Sequence, residues 1–161
     1  MNNHVVHKPS ITLAGVTTRT TNAEEAGSNG RLPKLWETYF KNSTAVQAYS
    51  DQPAYLYALY TDYESDASGA YTVLIGHELK ENIDRADMPF EHAAVPESEY
   101  LVFTSKKGPV YEVVAQAWME IWNYFNDSKE VRAYTGDFEL YDASSFDPAN
   151  AEVRIYIAIQ S

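Results

Sequence analysis

Segments of strand-like and helix-like periodicity follow one another in this chain in a single order, twice, and that repetition limits the fold more than any other feature. In the first round, residues 11–16 form a short run rich in branched side chains, which reads as a strand. The polar stretch from Asn22 to Gly30 reads as a loop. Leu32, Leu35, Trp36, Tyr39 and Phe40 then recur at the spacing of one helical face, with Pro33 in the first turn and Asn42 and Ser43 suited to the exit. Strands are expected over 55–60, where Tyr55, Tyr57 and Leu59 share a face, and over 71–76. The second round repeats the order. A strand at 100–103 is followed by a helix opened by Pro109, with Val110, Val114, Ala117, Trp118, Ile121 and Phe125 as its buried stripe, widened by Trp122. Strands at 136–141 and 153–159 complete it.

Trp122 follows Trp36 by 86 positions, and Ile159 follows Ile75 by 84. Offsets so nearly equal indicate a duplicated strand–helix–strand–strand unit. One such unit is too small to be stable alone, so the two should join. The expected fold is α+β: an antiparallel sheet carrying two main helices, with a pseudo-twofold groove where the halves meet. The halves are placed at about 10–80 and 97–160, within one domain over 1–161. The charged, proline-containing stretch 81–96 is the linker.

Composition narrows the function. With 12 basic and 23 acidic side chains the net charge is −11, which repels phosphate backbones and argues against direct nucleic-acid binding. The absence of cysteine excludes a disulfide framework and thiol chemistry. No apolar run is long enough for a membrane span and the N-terminus lacks signal-peptide character, so a cytoplasmic protein is expected. Tyr, Phe and Trp make up 14% of the chain, which suits half-buried strands and equally a cleft lined by rings. His4, His7, His77 and His92 have no metal-ligand spacing. The acidic turn at Asp62, Glu64 and Asp66 lacks the Gly-centred calcium-loop pattern. Neither a phosphate-binding glycine loop nor a nucleophile elbow is present. No metal, cofactor or catalytic residue is therefore assigned.

The element order resembles the GyrI-like, or AraC-type effector-binding, superfamily over roughly residues 10–160. So do Tyr71-Thr72-Val73-Leu74-Ile75-Gly76-His77-Glu78-Leu79, the Trp-rich second helix, Asp137-Phe138-Glu139-Leu140-Tyr141 and Arg154-Ile155-Tyr156-Ile157-Ala158-Ile159. The likeness is to free-standing members, some of which travel on integron gene cassettes. It implies binding of lipophilic, often cationic compounds between the halves. It also implies that a glutamate in a Phe-Glu-x-Tyr strand, here Glu139, faces the ligand. Pattern alone leaves Glu139 either a solvated acid on an edge strand or a buried one; the resemblance favours the second. A buried carboxylate without a partner is costly, and a bound cation ringed by aromatics relieves that cost. Tyr141 shares its face. Trp36, Trp118, Tyr57, Tyr71 and Tyr156 are the other candidate ligand contacts, although each also suits a core position.

The expected ligand is a small cationic aromatic compound, bound by a sensing or sequestering module; regulation of transcription would require a separate regulatory protein as partner. Two alternatives follow from the same resemblance. Some relatives hydrolyse small electrophilic compounds with a pocket glutamate and tyrosine, but Val73 stands here where the family often has Tyr. Ala158, where it often has Pro, is a second departure. The family also includes an inhibitor of DNA gyrase, for which the acidic surface would be the working part.

Overall fold

A computed structural model describes residues 3–28, 30–66, 68–81, 83, 88–144 and 146–160. Its elements are β1 (Asn3–Lys8), β2 (Ile11–Thr21), α1 (Asn22–Ala26), α2 (Leu32–Gln47), β3 (Tyr55–Thr61), β4 (Ala70–Glu78), β5 (Glu91–Val95), β6 (Ser98–Thr104), α3 (Val110–Asn126), β7 (Asp137–Asp142) and β8 (Arg154–Ile159). All strands join one antiparallel sheet in the order β1-β6-β8-β7-β3-β4-β2-β5. The expected α+β class and duplicated architecture are both present. Exchanging β1 with β5, β2 with β6, β3 with β7 and β4 with β8 reproduces this order read backwards, as a pseudo-twofold requires. The axis passes between β3 and β7, whose register sets Ala58 opposite Glu139.

Each repeat is longer than the sequence suggested. A leading strand, β1 or β5, precedes the expected unit and pairs across the molecule: β1 lies on β6, and β5 on β2. Part of the 81–96 linker is therefore strand, while residues 82 and 84–87 lie outside the described residues. The first expected strand extends from Val16 to Thr21, through a run rich in β-branched threonines. The expected loop at Asn22–Gly30 contains the short α1. The first long helix does not stop at Asn42 and Ser43. Asn42 Nδ2 donates to the Thr38 carbonyl and Ser43 Oγ to that of Phe40, so both side chains fold back on the helix and it runs on to Gln47.

The two sheet faces differ. One carries α2 and α3 over a core that includes Leu56, Ile75, Leu101 and Ile155. The other gathers Leu13 and Val95 of one flank with Tyr100 and Tyr156 of the opposite flank, so the curled sheet packs on itself there without a helix. At the β2–β4 pairing Gly15 lies opposite Gly76, and a Cβ on either would fall about 2 Å from the partner's backbone oxygens. Only glycine permits that approach.

The stripe expected for the second helix is also redistributed. Val113, Ala117 and Ile121 are its buried residues, while Val110, Val114, Trp118 and Phe125 are half-buried and Trp122 is exposed. Val110, Val114, Trp118 and Trp122 face a cavity between the helices.

Candidate functional site

Between α2 and α3 the sheet forms the floor of a groove of about 560 Å³, a size suited to a drug-like molecule. Trp36 and Phe40 line the α2 wall, and Trp118, Met119 and Trp122 the α3 wall. Tyr60, Tyr71, Glu139 and Tyr141 rise from β3, β4 and β7 to form the floor. The rings contact one another: Trp36 with Tyr141 at 5.3 Å between centroids, Tyr60 with Trp118 at 5.3 Å, and Trp118 with Trp122 at 6.3 Å. Exposed Phe40, Tyr111, Met119 and Trp122 supply apolar surface at the groove.

The α2 wall is held at its start by Glu25, whose two carboxylate oxygens accept the backbone N–H groups of Arg31 and Leu32. These donors have no partner within the helix, and an anion at that end also suits the helix dipole. Tyr71 donates to Asn22 Oδ1 at 2.9 Å, which ties the floor to α1.

Glu139 is 2% exposed. Its Oε2 accepts from the Tyr60 hydroxyl and from Trp118 Nε1, each at 2.8 Å, and its Oε1 accepts from the Tyr141 hydroxyl at 2.5 Å. All three donors are neutral. Burial pushes the Glu139 carboxyl above its ordinary value, and the bonds from Tyr141, Trp118 and Tyr60 pull partly in the other direction. The Tyr60 and Tyr141 hydroxyls are pushed well up by burial and by the neighbouring carboxylate, so they remain donors.

Asp137, two residues earlier on the same face of β7, is the contrasting case. It is fully buried and paired with Arg132 at 2.7 Å, and it also accepts from Tyr63 and from the Ala158 amide. Of the two buried carboxylates among the described residues, only Asp137 has an ionic partner. His77 is buried on the helix side too, with Nδ1 donating to the Tyr55 carbonyl and Nε2 accepting from the Tyr39 hydroxyl. Burial lowers its pKa, and both nitrogens are occupied: Nδ1 anchors the ring to β3, and Nε2 ties it to α2 through Tyr39.

Five of the seven residues singled out from sequence meet in the groove: Glu139, Tyr141, Trp118, Trp36 and Tyr71. Tyr57 and Tyr156 do not. They lie on the opposite face, where Tyr156 stacks on Phe138 at 4.5 Å and Tyr57 packs against the same ring. Strand alternation explains this, because Phe138 and Glu139 must point to opposite sides. Tyr60, Tyr63 and Arg132, unassigned from sequence, line the groove instead. Tyr60 sits two positions beyond Ala58, the residue opposite Glu139, a relation that exists only in the β3–β7 register and could not be read from the sequence.

The profile of a family described as a GyrI-like small molecule binding domain matches residues 1–160. The putative transcriptional regulator protein YobU of Bacillus subtilis (strain 168) is 37% identical over 158 residues, 98% of this chain and 97% of its own. Among solved structures, an integron cassette protein from the mobile metagenome of Vibrio cholerae shares 31% identity at a TM-score of 0.77, with 98% and 95% of the two chains covered. The protein SAV2435, solved bound to tetraphenylphosphonium, superposes with a TM-score of 0.79 over 100% of this chain and 95% of its own. At 18% identity that last likeness is one of fold.

Proposed function

Because this chain belongs to the GyrI-like family of small-molecule-binding domains, we propose that its groove takes lipophilic organic cations, with Glu139 as countercharge, in a sensing or sequestering role. The observation that carries this reading is a carboxylate almost wholly removed from water, facing an aromatic groove, whose donors among the described residues are all neutral. An isolated buried charge is expensive, and the cost disappears when a delocalised cation enters beside it. The faces of Trp36, Trp118 and Tyr141 would add cation–π attraction of about 0.5–2 kcal/mol. A large, weakly hydrated cation gives up little solvation on entering, so this site should prefer it over ammonium or metal ions. The tetraphenylphosphonium bound to SAV2435 is a ligand of that chemistry on the same fold. In the sensing version a separate regulatory protein would read the occupied state.

Tetraphenylphosphonium and tetraphenylborate share shape and apolar area but carry opposite charge. Titrating each against tryptophan fluorescence separates charge from hydrophobicity. The phosphonium should bind and the borate should not, and Glu139→Gln should weaken the phosphonium by about tenfold or more without weakening the borate, so that the gap between the two ions narrows. Equal affinity for both ions would reduce the groove to an uncharged hydrophobic cleft.

A further inference from the structure

The Arg132 end of the groove holds a buried hydrogen-bond donor without a partner among the described residues. The segment before β7 runs along the end of β8, where Arg132 bridges Ile159 and the Ala133 amide donates to the Ala158 carbonyl at 2.9 Å. Ile159 belongs to the helix-side core, so this pairing sets Arg132 on the groove side of the sheet, in the groove lining and 7% exposed. It is the one basic residue among the described lining residues.

A guanidinium presents five N–H donors in a fixed fork. Here Nη2 donates to Asp137 Oδ2, while Nε is buried with no hydrogen-bond partner among the described residues. Asp137 does not take the second tine of the fork. Its Oδ1 accepts the Ala158 amide, and its Oδ2 is shared with the Tyr63 hydroxyl. The Tyr134 ring, 4.5 Å from the guanidinium carbon, covers part of it without supplying an acceptor plane. A buried donor left without an acceptor is costly, and Arg132 lines the groove, the side from which a ligand's acceptor would approach the guanidinium.

Glu139 and Asp137 are two residues apart on one face of β7, which separates them by about 7 Å along the strand. We propose that the groove is a two-point site for organic cations that carry a carbonyl or carboxylate about 7 Å from the positive centre. The cation rests on Glu139 and the acceptor is taken by the Arg132 guanidinium. The proposal rests on the reading of Glu139 as the cation's partner, and it narrows the ligand from lipophilic cations in general to cations with an acceptor arm.

Carboxyalkyl triphenylphosphonium ions test this, with calorimetric titration as the readout. On the unaltered protein, (4-carboxybutyl)triphenylphosphonium should bind about tenfold tighter than pentyltriphenylphosphonium, the gain expected of one charge-assisted hydrogen bond. The (2-carboxyethyl) ion should show no gain, because its short arm holds the carboxylate beside Glu139. In Arg132→Lys, which keeps a charge for Asp137 but loses Nε and the planar fork, the ratio between the long-armed ion and its pentyl counterpart should collapse. Equal affinity of that pair on the unaltered protein, or a ratio that survives Arg132→Lys, would overturn the second contact and leave the cation site standing. Failure of every phosphonium to bind would overturn both. Should Arg132→Lys not fold, the arm-length comparison on the unaltered protein decides alone.

Discussion

Glu139 and Asp137 point the same way from one strand; Asp137 has Arg132, while the partners of Glu139 among the described residues are two phenols and an indole. The difference has a consequence for pH. Burial raises the Glu139 pKa above its unfolded value, so below that unfolded value both states hold the proton and nothing changes. Between the unfolded and folded values only the folded protein holds it, and stability falls as pH rises through that window. With Glu139 in its proposed role, cation binding should run the opposite way, its affinity rising with pH until the carboxyl is ionised. Glu139→Gln should therefore raise the melting temperature of the ligand-free protein at pH 7–8 and flatten its pH dependence, by about 1.4 kcal/mol for each tenfold difference in proton affinity between the folded and unfolded carboxyl. Melting curves across pH would show this, and a uniform loss of stability at every pH would contradict it. At this scale the sequence put Glu139 and Tyr141 on one face, and the structure turns that face to the groove, while Tyr57 and Tyr156 lie on the other. Alternation specifies which residues share a side, and only tertiary packing says which side meets the helices.

Among the elements, the long helices and the six strands of the two repeats were legible because each carries a full period of apolar residues. The leading strands β1 and β5 were not. Each is placed at a sheet edge and carries few large apolar side chains, so it shows no full apolar alternation. The helix exit was misjudged because Asn42 and Ser43 are ambiguous residues. They end a helix when they bond onward and continue it when they bond back. The Gly15–Gly76 contact could not be read from either glycine alone, since it exists only in the β2–β4 register. It does carry a prediction. Gly76→Ala would drive a methyl group into the Ala14 carbonyl, and the strands would have to part. The cost should be about 1–3 kcal/mol or more, as for an overpacked core, measured by urea denaturation. A change below about 0.5 kcal/mol, the range of surface substitutions, would mean that the strands slide apart freely there.

Over the whole molecule, the palindromic strand order brings two similar units together around a groove that is itself unsymmetrical. Ala58 faces Glu139 across the axis, so a single acid stands at the centre and the small partner leaves it room. The duplication was visible in the spacing of Trp36 and Trp122. The crossing of the leading strands was not, because pairing between distant segments leaves no local trace. That crossing makes the molecule behave as a clasp. Each unit grips the other through a strand that precedes its own body in the chain: β1 holds β6, and β5 holds β2. The covalent connection between β4 and β5 is then not what keeps the units together. A protease site inserted between Lys80 and Glu81 should, once cut, leave two fragments that elute as one species on gel filtration and still bind tetraphenylphosphonium. Fragments that separate in native buffer would show the clasp to be too weak. A chain that stays whole after being cut has its continuity written in hydrogen bonds.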